Sequence, residues 1–168
     1  CDAFYETFEQ SVVLVRVFVT VLFAMLMGDE QAIGRAVLER KQITDPVEST
    51  TPVMTLLGTR GVEKSWCDRL TSQGHRAFPL VSRLLIESMP MTAQLLQVLG
   101  SERGSAAPKD AGLTEKAWGA GRAGLFYVEH AAHTVDTQGR KIIGAQSFVE
   151  QYNVQTVFGA ARAYRDDL

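Results

Sequence analysis

The most pointed chemistry in the chain lies in Glu129-His130-Ala131-Ala132-His133. Two imidazoles three residues apart share one side of a helix and could hold a metal ion together. On a strand they would point to opposite faces and could not. His130 and His133 are therefore the candidate metal ligands. The helical zinc motif H-E-x-x-H is not matched, because the spacing is three rather than four and Glu129 precedes both histidines. Catalytic zinc takes three protein ligands, so a third would have to come from His75, Cys67 or a distant acid. Without one, the pair reads as two surface or interface histidines.

Other reactive side chains lack a diagnostic pattern. Glu129 with His130, or His75 with Asp68, could exchange protons, but catalytic groups assemble in space rather than in sequence. Cys67 would need a base to act as a nucleophile. Beside Trp66 on a short helix it reads as core packing. Arg60, Arg69 and His75-Arg76 could gather into an anion site, although the near-balanced charge favours solvated surface. Residues Gly119 to Gly124 spell GxGxxG. That motif binds dinucleotides only between a buried strand and a helix, and Leu113–Trp118 in front of it is no buried strand. Lys64-Ser65 lacks the glycines of a P-loop. No stretch carries the motifs of a known family.

Composition narrows the function classes further. The chain has 168 residues, 17 Lys+Arg against 19 Asp+Glu and a formal charge of -2. Nucleic-acid binding is driven by local positive excess, so no nucleic-acid partner is expected. No cofactor or small-molecule substrate is implied either. Two cysteines, Cys1 and Cys67, are too few for a disulfide framework. They read as a free terminal thiol and a buried thiol.

The elements that would position these groups start with an apolar run from Val12 to Met27, interrupted by Arg16 and Thr20. As a helix from about Ala3 to Met27, ended by Gly28, it would form the buried centre of a bundle. As a membrane helix it falls short of about 20 apolar residues, and a central arginine costs at least ~2.5 kcal/mol. As a strand it would place Val13, Val15, Val17, Val19 and Val21 on one face. Valine content favours the strand and length favours the helix. The buried helix is the expectation.

Asp29–Ile43 is expected to be helical, with acids leading and Arg40-Lys41 closing it. Thr44–Pro52 reads as a loop, Val53–Leu57 as an apolar turn, and Gly58 with Gly61 as a second turn. Short helices follow over Val62–Leu70, Leu80–Met89 and from Pro90 to Leu99. Asp136-Thr137-Gln138-Gly139 has type I hairpin chemistry between Leu125–Val135 and Arg140–Ile143. Gln146–Tyr164 reads as a final helix.

The fold class expected is mostly α: a helical bundle around a hydrophobic N-terminal helix, with a small C-terminal β-hairpin followed by a helix, or an α+β variant. One domain spans 1–168, with a helical part at 1–100, a linker-like loop at 101–112 and the hairpin and last helix at 113–168. The expected role is a non-enzymatic interaction or structural subunit of a larger assembly, with a protein partner or a second copy covering apolar surface. The alternatives are a membrane-associated subunit anchored by residues 10–28, and a small metal-dependent enzyme using His130 and His133. A cytoplasmic location is favoured over a membrane-associated one.

Overall fold

The computed structural model describes residues 1–72, 76–87, 89–93 and 123–162. Two compact units make up the chain, Cys1–Val81 and Ser82–Leu168. The first contains α1 (Asp2–Phe8), β1 (Leu14–Leu22), α2 (Gly28–Arg40), β2 (Pro52–Gly61) and β3 (Ala77–Pro79). The second contains α3 (Arg83–Glu87), β4 (Ala123–Val128), α4 (Gln146–Gln151) and β5 (Val157–Arg162). Both sheets are antiparallel, one ordered β1-β2-β3 and the other pairing β4 with β5.

The mostly α expectation is overturned by these two sheets. There is no hydrophobic N-terminal helix. The apolar run forms β1 and then a single 3-10 turn, Phe23–Met25. Alternating valines, stiff at χ1, favour the pleated surface. The run looked too long for one strand because strand, turn and the buried Leu26 follow one another without a polar break. Gly28 opens α2 rather than closing a preceding helix. Among the described residues, no helix is long and apolar enough to cross a membrane.

β2 replaces the two turns expected from Val53 to Gly61. It pairs with β1 along its whole length, from Leu22 opposite Pro52 to Leu14 opposite Gly61. One extra residue, Leu57, interrupts the register between the Val17–Gly58 and Phe18–Leu56 pairs, the signature of a β-bulge. Gly61 must be glycine. A Cβ there would lie 2.8 Å from Trp66 Cε3 and 2.9 Å from the Val13 carbonyl. Val62–Leu70 forms no helix beyond one 3-10 turn, Lys64–Trp66.

The core of the first unit joins Phe23, Leu26, Val53 and Ala77, with Val21, Ile33 and Val47 packed against them. α2 approaches β3 closely where Gly34 faces Pro79; a Cβ on Gly34 would sit 3.2 Å from Pro79 Cγ. Gln31 Nε2 donates to the Phe23 and Leu26 carbonyls at 3.2 and 3.1 Å, tying α2 to the 3-10 turn.

In the second unit, Phe126, Val128, Ala131, Ile142, Ile143 and Val149 form the core. The Asp136–Gly139 turn occurs where expected, with Gly139 at φ +77° and the Asp136 N–H bonded to the Arg140 carbonyl at 2.8 Å. Of the expected arms, Leu125–Val128 is strand as part of β4, and the two arms meet each other only at an isolated Val135–Lys141 bridge. β4 pairs instead with β5, which replaces the second half of the expected final helix. Asn153, at φ +49°, ends that helix early. The GxGxxG stretch up to Arg122, the linker-like segment 101–112 and most of the helix expected after Pro90 lie outside the described residues, while Ala123 and Gly124 open β4.

Candidate functional site

β1 is an edge strand, and the direction of its backbone groups follows from two hydrogen bonds at its ends. The Phe23 N–H donates to the Thr51 carbonyl at 2.8 Å, and the Val62 N–H donates to the Val13 carbonyl at 3.0 Å. In an antiparallel ladder, bonded pairs alternate with non-bonded ones. Both ends therefore turn the odd-numbered residues of β1 toward β2, with the bulge at Leu57 absorbing the offset. Leu14, Arg16, Phe18, Thr20 and Leu22 direct their N–H and C=O groups to the open edge. Among the described residues, none bonds to them there.

Natural edge strands are usually blunted by charges, proline or a covering element. β1 reads Leu-Val-Arg-Val-Phe-Val-Thr-Val-Leu and carries one charge. Val17, Val19 and Leu22 are 40%, 39% and 44% exposed. Arg16 lies half-buried, and its guanidinium reaches Ser72 Oγ at 3.4 Å. Burial holds its pKa below the ordinary arginine value. Arg16 Nε and Thr59 Oγ1, on residues directly opposite each other in the ladder, are both buried without a partner among the described residues.

His130 and His133 lie on one helical turn just after β4. The His133 and Thr134 N–H groups both donate to the His130 carbonyl at 2.9 Å, and Thr134 Oγ1 joins them at 2.8 Å. This is the helical spacing that puts both imidazoles on one side. They line an open cleft of about 260 Å³ with Glu150, Asn153 and Gln155. Among the described residues, no group of three His, Cys, Asp or Glu side chains is placed to hold a metal ion.

The anion site expected from the arginines does not assemble from the described residues. Arg69 binds Glu30 at 2.6 Å, Arg76 binds Asp29 at 3.0 Å, and Arg60 lies 3.7 Å from Asp2. Each cation has its own carboxylate. The Arg76 guanidinium, as donor to Asp29, holds that carboxyl below the usual range. Arg69 also donates to the Leu56 carbonyl at 3.2 Å, at the bulge. His75 lies outside the described residues. Cys67 is half-buried rather than buried, and its Sγ lies 3.4 Å from the Gly61 and Glu63 carbonyls.

No protein-family model matches the chain, and neither a curated protein nor a solved structure is similar to it.

Proposed function

We propose that this chain is a non-enzymatic interaction subunit that takes up an extended segment along the open edge of β1. The observation that carries this reading is the row of backbone groups at Leu14, Arg16, Phe18, Thr20 and Leu22 that have no partner among the described residues, flanked by exposed Val17, Val19 and Leu22. An added strand would satisfy the row with backbone hydrogen bonds, and pockets between alternate side chains would select its sequence. The metal-dependent alternative at His130 and His133 has two imidazoles on one turn in its favour and, among the described residues, no third ligand.

The test uses a displayed library of random peptides selected against the full chain. Peptides with alternating apolar residues should be enriched. Their binding should vanish in Thr20→Pro, which removes an outward N–H and no bond to β2. Failure to enrich such peptides, or binding that survives Thr20→Pro, would overturn the reading.

A further inference from the structure

β1 is nearly a palindrome. Read from Phe18 outward, Val17 matches Val19, Val15 matches Val21 and Leu14 matches Leu22; only Arg16 and Thr20 differ. An antiparallel strand paired with its own copy about a two-fold axis meets its sequence in reverse, so in this strand apolar Leu, Val and Phe each face a residue of their own kind. We propose that the occupant of the β1 edge is a second copy of this chain, in antiparallel register with Phe18 on the two-fold axis. The proposal rests on the strand-addition reading and names its partner.

Three features converge on this register. First, Phe18 is one of the residues whose N–H and C=O face the open edge. A two-fold axis at such a residue makes it a bonded pair with its copy. Leu14 with the other Leu22, and Arg16 with the other Thr20, are then bonded pairs too. About ten backbone hydrogen bonds result, two for each bonded pair.

Second, this axis overlaps the whole of β1, from Leu14 to Leu22. An axis on Thr20 or Arg16 leaves residues of one end unpaired. Third, charge selects among the alternatives. Arg16 is the only charged residue of the strand. An axis on Arg16 would set two guanidinium groups directly opposite each other, which is destabilising. The axis on Phe18 sets each Arg16 against a neutral Thr20. Charge thus removes the axis on Arg16, and full overlap of β1 singles out Phe18 from the rest. The product is a continuous six-stranded sheet, β3-β2-β1 followed by its copy, in which the exposed valines of one strand lie beside those of the other.

Sedimentation equilibrium of the full chain over a wide concentration range tests this. The unmodified chain should approach twice the monomer mass. Each substitution at Thr20 acts twice per dimer. Thr20→Glu should tighten the dimer by about threefold to thirtyfold and Thr20→Lys should weaken it by a similar factor. The gain from Thr20→Glu should disappear in Arg16→Gln. In the unmodified chain, exchange at the Arg16, Phe18 and Thr20 amides should slow as concentration rises, a readout independent of how the variants fold.

A chain that stays monomeric while the selected peptides still bind would overturn self-pairing and leave strand addition standing. If the chain is monomeric and the peptides also fail, both are overturned. A dimer indifferent to the charge at position 20, with the edge amides unprotected, would place the contact elsewhere and overturn the proposal.

Discussion

The two sheets of this protein are both antiparallel, yet they are held in different ways. β4 and β5 pair residue for residue without a bulge, from Ala123 opposite Arg162 to Val128 opposite Val157. One face buries Phe126 and Val128 in a wholly apolar core, and the other leaves Leu125 and Tyr127 exposed. Phe126 lies across from Gly159, where a Cβ would come 3.0 Å from its ring. The ring fills the space that glycine leaves.

The β1-β2-β3 sheet also has an apolar core, but it carries an interruption at Leu57 and a polar tie beside it. Glu30 is almost fully buried, and Arg69 links it to the Leu56 carbonyl. The comparison teaches that a short regular ladder can rest on alternation alone. Where β3 stops at Ala77, the next backbone groups of β2 are satisfied from beyond the ladder, the Leu56 N–H by the Arg76 carbonyl and the Leu56 carbonyl by Arg69.

The largest effect should come from removing the side chain on which the regular sheet depends. Phe126→Ala deletes a buried ring beside a glycine that cannot fill the gap. The cost should be about 3–5 kcal/mol by urea denaturation. A loss under about 1 kcal/mol, within the range of ordinary surface substitutions, would show that the β4-β5 sheet does not rest on this core.

A middle-sized effect should come from the polar tie. Removing one partner of a fully buried ion pair costs about 3–5 kcal/mol, whereas exposed pairs contribute about 0–1. Glu30 is 8% exposed and Arg69 is 33% exposed at the side chain, so the pair falls between these limits. A double-mutant cycle with Glu30→Gln and Arg69→Met should give a coupling energy of about 1–3 kcal/mol. Hydrogen exchange should localise the loss to β2 around Leu56. A coupling near zero would reduce the tie to a surface contact and erase the distinction between the sheets.

How much of this was legible in the residues differs by element. α2 follows its acidic start and basic end. The Asp136–Gly139 turn follows its turn chemistry. The alternating valines of β1 were visible, but a period-two pattern inside a longer apolar run competes with a length argument that counts strand and turn together. β2 was hidden by its own punctuation. Gly58 and Gly61 resemble turn residues, yet Gly61 is required by Trp66 packed over it, a contact five residues away that no local pattern reveals.

The histidine spacing was readable and the cleft around it was not, because Asn153 and Gln155 come from beyond α4. The open edge could not be read at all. Which strand lies outermost depends on β2 pairing with β1 on one side and β3 on the other, and that is decided by residues far apart in the chain.

The smallest effect should come from acid, and it compares one carboxylate from each unit. Arg76 donates to Asp29, and the charged donor holds the Asp29 carboxyl low. Burial pushes Asp136 upward, but the Arg140 N–H at 2.9 Å, its guanidinium and the Gln138 N–H at 2.9 Å outweigh it. The net shift is downward.

A carboxyl whose folded pKa lies below its unfolded value of about 3.9 contributes stability above that value. The contribution is lost as pH falls through the folded pKa, because the unfolded chain binds its proton first. Both groups should therefore stabilise at pH 7 and cease to do so at strongly acid pH. Asp29→Asn and Asp136→Asn should each lower the urea midpoint slightly at pH 7 and converge with the unmodified chain at low pH. Asp136→Asn should also speed exchange at the Gln138 and Arg140 amides, since its carboxylate organises a turn. Asp29→Asn should speed exchange only weakly, and only at the Asp29 and Glu30 amides, since the Arg76 side chain is its leading partner and those two N–H groups act on it less. Equal exchange behaviour in the two variants would mean that Asp136 organises its turn no more than Asp29 organises the start of α2.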